Sequence, residues 1–455
     1  MKVSIVGTGY VGLVSGVCLA KKGHDVVCVD LDHDKVDQIN AGRSPIYEKG
    51  LDELLAQCCG VNFRATTDLR GAVLDSDISM IAVGTPFDGD EIDLQYIRAA
   101  ASQIGAALKD KPSYHVVLVK STVVPGTTND VVLPLLEEAS GKQAGRDFGV
   151  GMNPEFLREG EAVHDFLFPD RIVLGGLDER TLDVFEEFYR PFSKVDKIRT
   201  NPRTAEMIKY TANSLLATMI SFSNEIGNLC TSIPGVDVTE VMRGVHLDKR
   251  LSPILSDGTR ITPSFTTYLE AGCGFGGSCF PKDVKALIAH GRKLGRDMAL
   301  LAAVVKVNLD QPGMVIALLA SHFEKLEGVR VTVLGLAFKP GTDDIRESPA
   351  LPIIRELLVR KAKVKAFDTV AQAEAEKFFG KGSLDYADSL EEAVEDAQAV
   401  LLLTRWPEFA RLPEVFALKR EQPLLIDGRR LISKNSVQRY EGIGMNGLSS
   451  FKGQK

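Results

Sequence analysis

The chain has 455 residues, too many for one hydrophobic core, so its length predicts two or three domains. With 44% hydrophobic and 25% charged residues, the composition is that of a folded globular protein and excludes a disordered or fibrous one. The formal net charge of -7 gives no global reason to expect nucleic acid or an anionic membrane as a partner, so an anionic ligand must be met by local cations.

The chain begins with a strand pattern rather than a basic, cleavable leader, and no apolar run approaches the roughly 20 residues that span a bilayer. We therefore expect a cytoplasmic protein with no membrane partner. The seven cysteines are odd in number and scattered, without paired CxxC spacing. They predict neither a disulfide framework nor a zinc site.

The amino terminus has the order strand, tight turn, helix. Residues 1–6 are a short apolar run, and the glycine motif GTGYVG at residues 7–12 follows at once, before a segment of helical period. Here the first glycine makes the turn, the second lets a pyrophosphate approach the backbone, and the third allows close packing of helix on strand. Asp30 ends the next predicted strand, at the spacing of an acid that accepts from the adenosine ribose hydroxyls, which favours NAD over NADP. The alternative is a doubly wound domain with an unused glycine turn. The predicted cofactor contacts are Gly7, Gly9, Tyr10, Val11, Gly12 and Asp30.

Two further apolar segments, 79–86 and 115–122, predict parallel strands that end in small or hydroxyl residues. Ligands of open α/β sheets bind at the carboxyl ends of the strands. We therefore expect Thr85 and Thr122 to face the cofactor, although an isolated threonine is more often an ordinary turn or cap residue.

From residue 203 to about 230, apolar residues follow helical spacing without an internal proline, for roughly seven turns. A helix this long usually spans two domains, and it offers a surface for a homodimer or a higher homo-oligomer. The alternative is a bundle helix that lies wholly within one subunit.

A second alternating pattern begins near residue 329 and lacks GxGxxG, so its ligand need not be a dinucleotide. The last few residues predict a loose tail. The fold class we predict is α/β, with two Rossmann-like doubly wound domains joined by a central helical domain that contains a long helix. The elements predicted for the second pattern are strands at 329–336, 363–368, 399–404 and 424–427 and a helix at about 350–360.

One cysteine follows a glycine-rich loop, as Cys279 in GFGGSCFPKD at residues 274–283. Nearby cations and a helix start lower a thiol pKa and supply the thiolate nucleophile. The alternative is a glycine turn that carries a small buried cysteine. Asp283 would lie close to Cys279 if a helix starts at the intervening proline. Lys209 and Asn213 are four apart in the long helix and share a face, which predicts either a pair directed into a cleft or an ordinary solvated face.

An NAD site together with a thiolate favours oxidation through a covalent intermediate. An aldehyde must become tetrahedral before its hydrogen can leave as hydride, and a thiol achieves this by adding to the carbonyl. The thiohemiacetal then gives a thioester, and water releases a carboxylate.

Several motifs occur in one order along nearly the whole chain. They are GTGYVG, VGTP at 83–86, KSTV at 120–123, NPEFLREG at 153–160, AEMIKYTANS at 205–214, GFGGSCFPKD, and GTDDIRESP at 341–349. Together they resemble the UDP-glucose and GDP-mannose dehydrogenase family. The resemblance implies a four-electron oxidation of a sugar hydroxymethyl group to a carboxylate, with two NAD and no metal. It also implies an NAD-binding Rossmann domain over 1–198, a central helical domain with the dimer contact over 199–312, and a Rossmann-like UDP-sugar domain over 313–455.

The resemblance also implies roles for individual residues. Cys279 is expected as the nucleophile, Lys209 and Asn213 as the groups that assist the oxyanion, Asp283 and Glu155 in proton transfer, and Thr122 as the holder of the water. The further cofactor contacts implied are Lys35, Thr85, Thr122, Glu159 and Arg346. The substrate contacts implied are Phe156, Leu157, Lys209, Asn213, Tyr268, Gly274, Phe338, Lys339, Arg429 and, from the partner subunit, Arg250.

Two features depart from the family pattern: the segment between Arg250 and Tyr268 is long, and Glu270 stands where a basic residue is expected. The sequence LDKR at 247–250, followed by an aromatic residue and the cysteine loop, resembles the UDP-glucose branch, so UDP-glucose is the expected substrate. GDP-mannose is the alternative substrate. A binding module that senses NAD without turnover is the alternative from another functional class.

Overall fold

The computed structural model describes residues 1–89 and 91–446. The chain forms two compact units, Met1–Ala212 and Asn213–Lys455. The loose tail predicted for the last residues lies outside the described ranges.

The first unit is built on an eight-stranded sheet in the order β3-β2-β1-β4-β5-β6-β7-β8. Every neighbouring pair is parallel except β6 and β7, which are antiparallel. Its strands are β1 (Lys2–Val6), β2 (Asp25–Val29), β3 (Phe63–Thr66), β4 (Ile78–Ile81), β5 (His115–Val119), β6 (Phe148–Met152), β7 (Arg171–Gly176) and β8 (Asp196–Thr200).

Helices cover both faces of this sheet. Along β5, Val116 and Leu118 pack in one buried cluster, whereas Val117 and Val119 pack in another. This alternation along a wholly apolar strand is typical of a parallel sheet that is buried on both faces. The helices are α1 (Tyr10–Lys21), α2 (His33–Asn40), α3 (Leu51–Cys58), α4 (Leu69–Asp75), α5 (Gln95–Leu108), a π-helix (Thr128–Val132), α6 (Leu133–Ser140), α7 (Ala162–Leu167), α8 (Glu179–Phe188) and α9 (Pro202–Thr231), which continues into the second unit.

The second unit begins with helices and ends with a six-stranded sheet in which all neighbouring pairs are parallel. The helices before the sheet are α10 (Val238–His246), a 3₁₀ helix (Ser264–Tyr268), α11 (Phe280–Lys293) and α12 (Ala299–Ala320). The strands are β9 (Arg330–Leu334), β10 (Lys363–Phe367), β11 (Asp385–Tyr386), β12 (Ala399–Leu402), β13 (Leu424–Asp427) and β14 (Tyr440–Gly442), in the order β11-β10-β9-β12-β13-β14. The intervening helices are α13 (Ala350–Val359), α14 (Gln372–Phe379), α15 (Leu390–Ala393), a 3₁₀ helix (Pro407–Arg411) and α16 (Leu412–Ala417).

The predicted fold class is confirmed: along the chain, a helical segment that includes the long helix α9 separates two Rossmann-like sheets. The strands predicted at 79–86 and 115–122 are present but shorter than predicted, because β4 ends at Ile81 and β5 ends at Val119. The amides of Lys120 and Ser121 both donate to the carbonyl of Ile81, which stops the regular ladder.

Helix α12 contradicts the expectation that the chain contains no apolar segment long enough to span a bilayer. Among helices of the described residues, it alone is long and apolar enough to span one by length and composition. It carries the charged residues Lys306 and Asp310, and it buries Val304 and Val315 inside its unit. Core helices of globular proteins meet the same test of length and composition.

Candidate functional site

The glycine turn between β1 and α1 has the geometry that a dinucleotide cradle requires. Gly7 has a φ of 104°, and a Cβ there would lie 2.7 Å from the carbonyl oxygen of Ala82. A Cβ at Gly12 would clash with the carbonyl of Gly7, whereas one at Gly9 would meet nothing within 4 Å. Gly7 and Gly12 thus let the helix pack closely on the sheet, and Gly9 leaves open space at the start of α1, where pyrophosphates bind.

Asp30 follows β2 directly and faces the same turn. Its carboxylate accepts from the backbone N–H of Thr8 at 3.0 Å and from the Thr8 hydroxyl. Burial acts to raise the pKa of Asp30, but these hydrogen bonds and the charge of Lys35 lower it below its usual value. An ionised acceptor at this place fits the ribose hydroxyls of NAD.

Glu48 joins the first turn of α1 to the loop before α7, and sequence reasoning missed it. Its carboxylate accepts from the Tyr10 hydroxyl, from the amide of Gly160 at 2.7 Å and from the amide of Ala162 at 2.9 Å. Burial and Glu48 both raise the pKa of Tyr10, which keeps the phenol protonated as a donor. No local motif marks such an acid, because its partners are distant in sequence.

Thr85 and Thr122 lie together at the carboxyl edge of the first sheet, as expected for strand ends. The Thr85 hydroxyl donates to the carbonyl of Thr122 at 2.9 Å. The hydroxyl of the neighbouring Ser121 donates to the carbonyl of Val83 at 2.7 Å. These bonds hold the two loops that follow β4 and β5 against each other.

Lys209 and Glu155 form a buried ion pair with an N···O distance of 3.0 Å, in which both side chains are at most 5% exposed. Glu155 also accepts from the amide of Leu157 at 2.6 Å. Burial acts to raise the pKa of Glu155, but the charge of Lys209 and the Leu157 amide lower it. Phe156 is half-buried, and its ring lies 5.5 Å from the Lys209 ammonium. The structure therefore brings two residues of NPEFLREG, Glu155 and Phe156, to one lysine of α9.

Lys120 is a second buried cation near Glu155, and sequence reasoning did not assign it a role. Burial lowers its pKa to about 8, against the opposing charge of Glu155. Its ammonium donates to Asn153 Oδ1 at 2.7 Å, and the Tyr189 hydroxyl donates to the same oxygen at 2.5 Å. In the sequence, Lys120 follows an apolar strand directly and is the first residue of the KSTV motif.

Cys279 lies at the N-terminal end of α11, which begins at Phe280 and has Pro281 in its first turn. The predicted helix start is therefore present, and the amide of Asp283 donates to the Cys279 carbonyl at 2.8 Å. In the preceding loop, a Cβ at Gly276 would clash with the carbonyl of Glu347, and one at Gly277 would lie 2.7 Å from the ring of Phe338. The glycines thus let this loop pack tightly under its half-buried thiol.

Asn213 and Asp283 lie together within the second unit. The Asn213 amide donates to Asp283 Oδ2 at 2.6 Å, and Lys282 donates to the other carboxylate oxygen at 2.7 Å. Asp283 is 1% exposed, so its charge is balanced by Lys282 rather than by water. Lys209, on the same helix as Asn213, belongs to the first unit with Glu155.

A cavity of about 290 Å³ lies in the second unit, and five of the predicted substrate residues line it. Arg429 is fixed by backbone acceptors, donating to the carbonyl of Gly274 at 2.9 Å and to that of Leu403 at 2.7 Å. The cavity also has Glu270 and Arg405 in its lining, and these form an ion pair. The predicted residues in the lining are Tyr268, Gly274, Phe338, Lys339 and Arg429.

Three of the predicted site residues do not line this cavity. Arg250 is exposed, forms an ion pair with Asp248 at 2.5 Å, and is not part of the cavity lining. Arg346 is exposed and forms an ion pair with Asp344 at 2.7 Å, while its carbonyl accepts from the amide of Gly277. Glu159 is half-buried in the loop between β6 and α7.

Three consecutive family models match the chain. They are the NAD binding domain of the UDP-glucose/GDP-mannose dehydrogenase family at residues 1–193, its central domain at 203–310 and its UDP binding domain at 332–434. The chain is 44% identical over 448 residues to a UDP-glucose 6-dehydrogenase of Haloferax volcanii, covering 97% of this chain and 100% of that protein. It is also 44% identical over 371 residues to a GDP-mannose 6-dehydrogenase of Pseudomonas aeruginosa, covering 81% of each. A solved UDP-glucose dehydrogenase from Pyrobaculum islandicum superposes with a TM-score of 0.88 at 39% identity over 97% of each chain.

Proposed function

Since this chain belongs to the UDP-glucose/GDP-mannose dehydrogenase family and is an NAD-dependent dehydrogenase, we propose that it oxidises UDP-glucose to UDP-glucuronate. The full-length match to a UDP-glucose 6-dehydrogenase carries this proposal. GDP-mannose is the second candidate, because a GDP-mannose 6-dehydrogenase is equally identical over a shorter aligned region. We propose that the chain has three domains, at residues 1–198, 199–312 and 313–455. We also propose that the protein is cytoplasmic.

Bound NAD supplies the hydride acceptor, and two NAD are consumed for each sugar. In this proposal the Cys279 thiolate adds to the aldehyde carbon formed in the first oxidation, and the thiohemiacetal becomes a thioester as the second hydride leaves. Water then attacks the thioester, which releases the carboxylate and regenerates the thiol. The position of Cys279 at the start of α11 supports this role, because a helix N-terminus favours a thiolate.

We propose that Lys209 and Asn213 stabilise the oxyanion and that Asp283 and Glu155 transfer protons. The charge of Lys209 lowers the pKa of Glu155, which supports a role as a base rather than as an acid. Thr122 is proposed to hold the attacking water, and Arg346, Glu159 and Lys35 to contact the cofactor. Phe156, Leu157 and the residues that line the cavity are proposed to hold the nucleotide sugar.

We also propose a homodimer formed through α9. Leu215, Phe222 and Leu229 are spaced seven apart along this helix and are 59%, 50% and 58% exposed. An apolar stripe of this period on a long helix is typical of a packed helix pair. The exposed Arg250 is then the residue expected to reach the partner's sugar site.

The substrate is tested by incubating pure protein with NAD and UDP-glucose and counting the NADH formed for each sugar consumed. A ratio of two is expected, because the proposed reaction removes four electrons. GDP-mannose is run in parallel, and faster turnover with it would favour the second candidate.

The nucleophile is tested by Cys279→Ser, with Cys230→Ser as a matched control in a buried thiol of the same unit. Cys279→Ser should stop net carboxylate formation and leave NAD binding unchanged, as measured by fluorescence titration. The control should keep its activity. Undiminished carboxylate formation by Cys279→Ser would refute the proposed role, and a binding module without turnover would show no NADH in any variant.

A further inference from the structure

The cavity of the second unit carries an unequal set of charges. Its lining includes three cationic side chains, Lys339, Arg405 and Arg429, and a single carboxylate, Glu270. All of the lining residues belong to the described part of the chain. Three positive charges and one negative charge leave a formal sum of two positive charges on the wall of the cavity.

Glu270 neutralises one particular cation. Arg405 Nη1 donates to Glu270 Oε2 in an ion pair, and Arg405 Nε donates to the carbonyl of Arg429 at 2.7 Å. The two side chains of the pair are 37% and 36% exposed, so the pair is accessible to a ligand in the cavity and to water. A pair this exposed contributes little to stability, which leaves its effect on the charge of the cavity as its main consequence.

The ligand of this cavity changes its charge during the proposed reaction. A sugar linked through a diphosphate carries two negative charges, and oxidation of its hydroxymethyl group adds a third as a carboxylate. A wall with two positive charges therefore balances the substrate but not the product. Without Glu270 the wall would carry three positive charges and would balance the product instead.

We propose that Glu270 is a specificity-determining residue that weakens retention of the more negative uronate product relative to the substrate. This inference rests on the proposed function, because the added charge arises from that oxidation. The Coulomb energy of a ligand grows with its charge, so the trianion responds more strongly than the dianion to each change in the wall. Glu270 thereby promotes product release and limits product inhibition.

The test uses four proteins whose walls carry different formal charges. The wild type and the double variant Glu270→Gln/Arg405→Gln have two positive charges, Glu270→Gln has three, and Arg405→Gln has one. Glu421→Gln, at an exposed glutamate outside the lining, is the matched control for total charge. Dissociation constants for UDP-glucose and UDP-glucuronate are measured by calorimetry without NAD, so that no turnover occurs.

We expect Glu270→Gln to bind UDP-glucuronate about tenfold more tightly and UDP-glucose about fivefold more tightly, because the gain in Coulomb energy scales with the charge of the ligand, and both gains should shrink as salt is raised. Arg405→Gln should weaken both ligands, and the double variant should return to the wild-type constants. The inhibition constant of UDP-glucuronate in the turnover assay should fall in Glu270→Gln and stay unchanged in Glu421→Gln.

Several results would overturn the proposal. One is a constant ratio of the two dissociation constants in all variants, and another is weaker binding of UDP-glucuronate by Glu270→Gln. If Glu270 instead accepts directly from the nucleobase, Glu270→Gln weakens both ligands and the double variant is weaker than the wild type. If the wild type binds no uridine nucleotide, the same series is run with GDP-mannose and its uronate. The charge argument involves only the diphosphate and the carboxylate, so a wrong substrate assignment is distinguished from a wrong role of Glu270.

Discussion

Buried charged side chains in the first unit are balanced by partners far away in sequence. Lys209 forms an ion pair with Glu155, and the Lys120 ammonium donates a hydrogen bond to Asn153. Burial alone would neutralise each group, raising the pKa of the acid and lowering that of the lysines. For Glu155 the nearby cation prevails and the carboxylate stays ionised, whereas for Lys120 burial prevails. Each pKa is thus set by the balance between burial and the charges and hydrogen-bond donors nearby.

Lys209→Met tests the buried pair at the level of stability. It leaves Glu155 buried without its direct cation, so we expect the free energy of unfolding to fall by about 3–5 kcal/mol in urea titrations. Lys306→Met is the matched control, because Lys306 and Asp310 form an exposed i,i+4 pair, and it should cost less than about 1 kcal/mol. Equal losses in the two variants would contradict the assigned importance of burial.

The pH dependence of stability gives the same pair a second test. The folded state of the wild type holds the pKa of Glu155 below its ordinary value of 4.5, so this carboxylate stabilises the protein above that pH. The stabilisation is lost as pH falls through the folded pKa. In Lys209→Met burial raises the pKa of Glu155, so this carboxylate should instead reduce stability as pH rises above 4.5. Urea titrations of both proteins at several pH values measure the two slopes.

The first and later turns of helix α9 carry residues in different environments. Its first turns carry Glu206 and Lys209, and Glu206 accepts from the amides of Gly126 and Thr128 at 2.6 and 2.8 Å. Its later turns present the exposed stripe of Leu215, Phe222 and Leu229. The regular backbone of a helix holds its side chains at defined positions. One helix can therefore position both a residue of a buried ion pair and the residues of an interface.

Phe222→Glu tests the proposed interface on α9. A charge in the middle of an apolar stripe opposes association, so light scattering should show a shift from dimer to monomer. Leu309→Glu on α12, a leucine of similar exposure, is the control and should leave the mass unchanged. A dimer that survives Phe222→Glu would place the interface elsewhere.

The whole molecule is proposed to need two chains for activity, and mixing inactive variants tests this. Arg250→Ala and Cys279→Ser are each expected to be inactive. After the two are unfolded and refolded together, half of the dimers are mixed, and each mixed dimer holds one intact site only if Arg250 acts on its partner. About a quarter of the wild-type activity should then return. No recovery would show that Arg250 acts within its own chain.

The two glycine-rich loops, the long helix and the alternation of strands with helices were all predictable from the amino-acid sequence. These features depend on local backbone preferences, such as the positive φ at Gly7 and the start of α11 with Pro281 in its first turn, which neighbouring residues settle. The sequence also placed Asn213 and Asp283 among the candidate residues, although nothing in the spacing showed their hydrogen bond.

The contacts between groups distant in sequence became known from the folded chain alone. The antiparallel pairing of β6 and β7, the bonds of Glu48 to Gly160 and Ala162, and the pairing of Glu270 with Arg405 join residues that local patterns leave unconnected. Glu270 and Arg405 are 135 positions apart. Such contacts depend on the path of the whole chain, because an ion pair depends on distance in space and carries no periodic signal along the sequence.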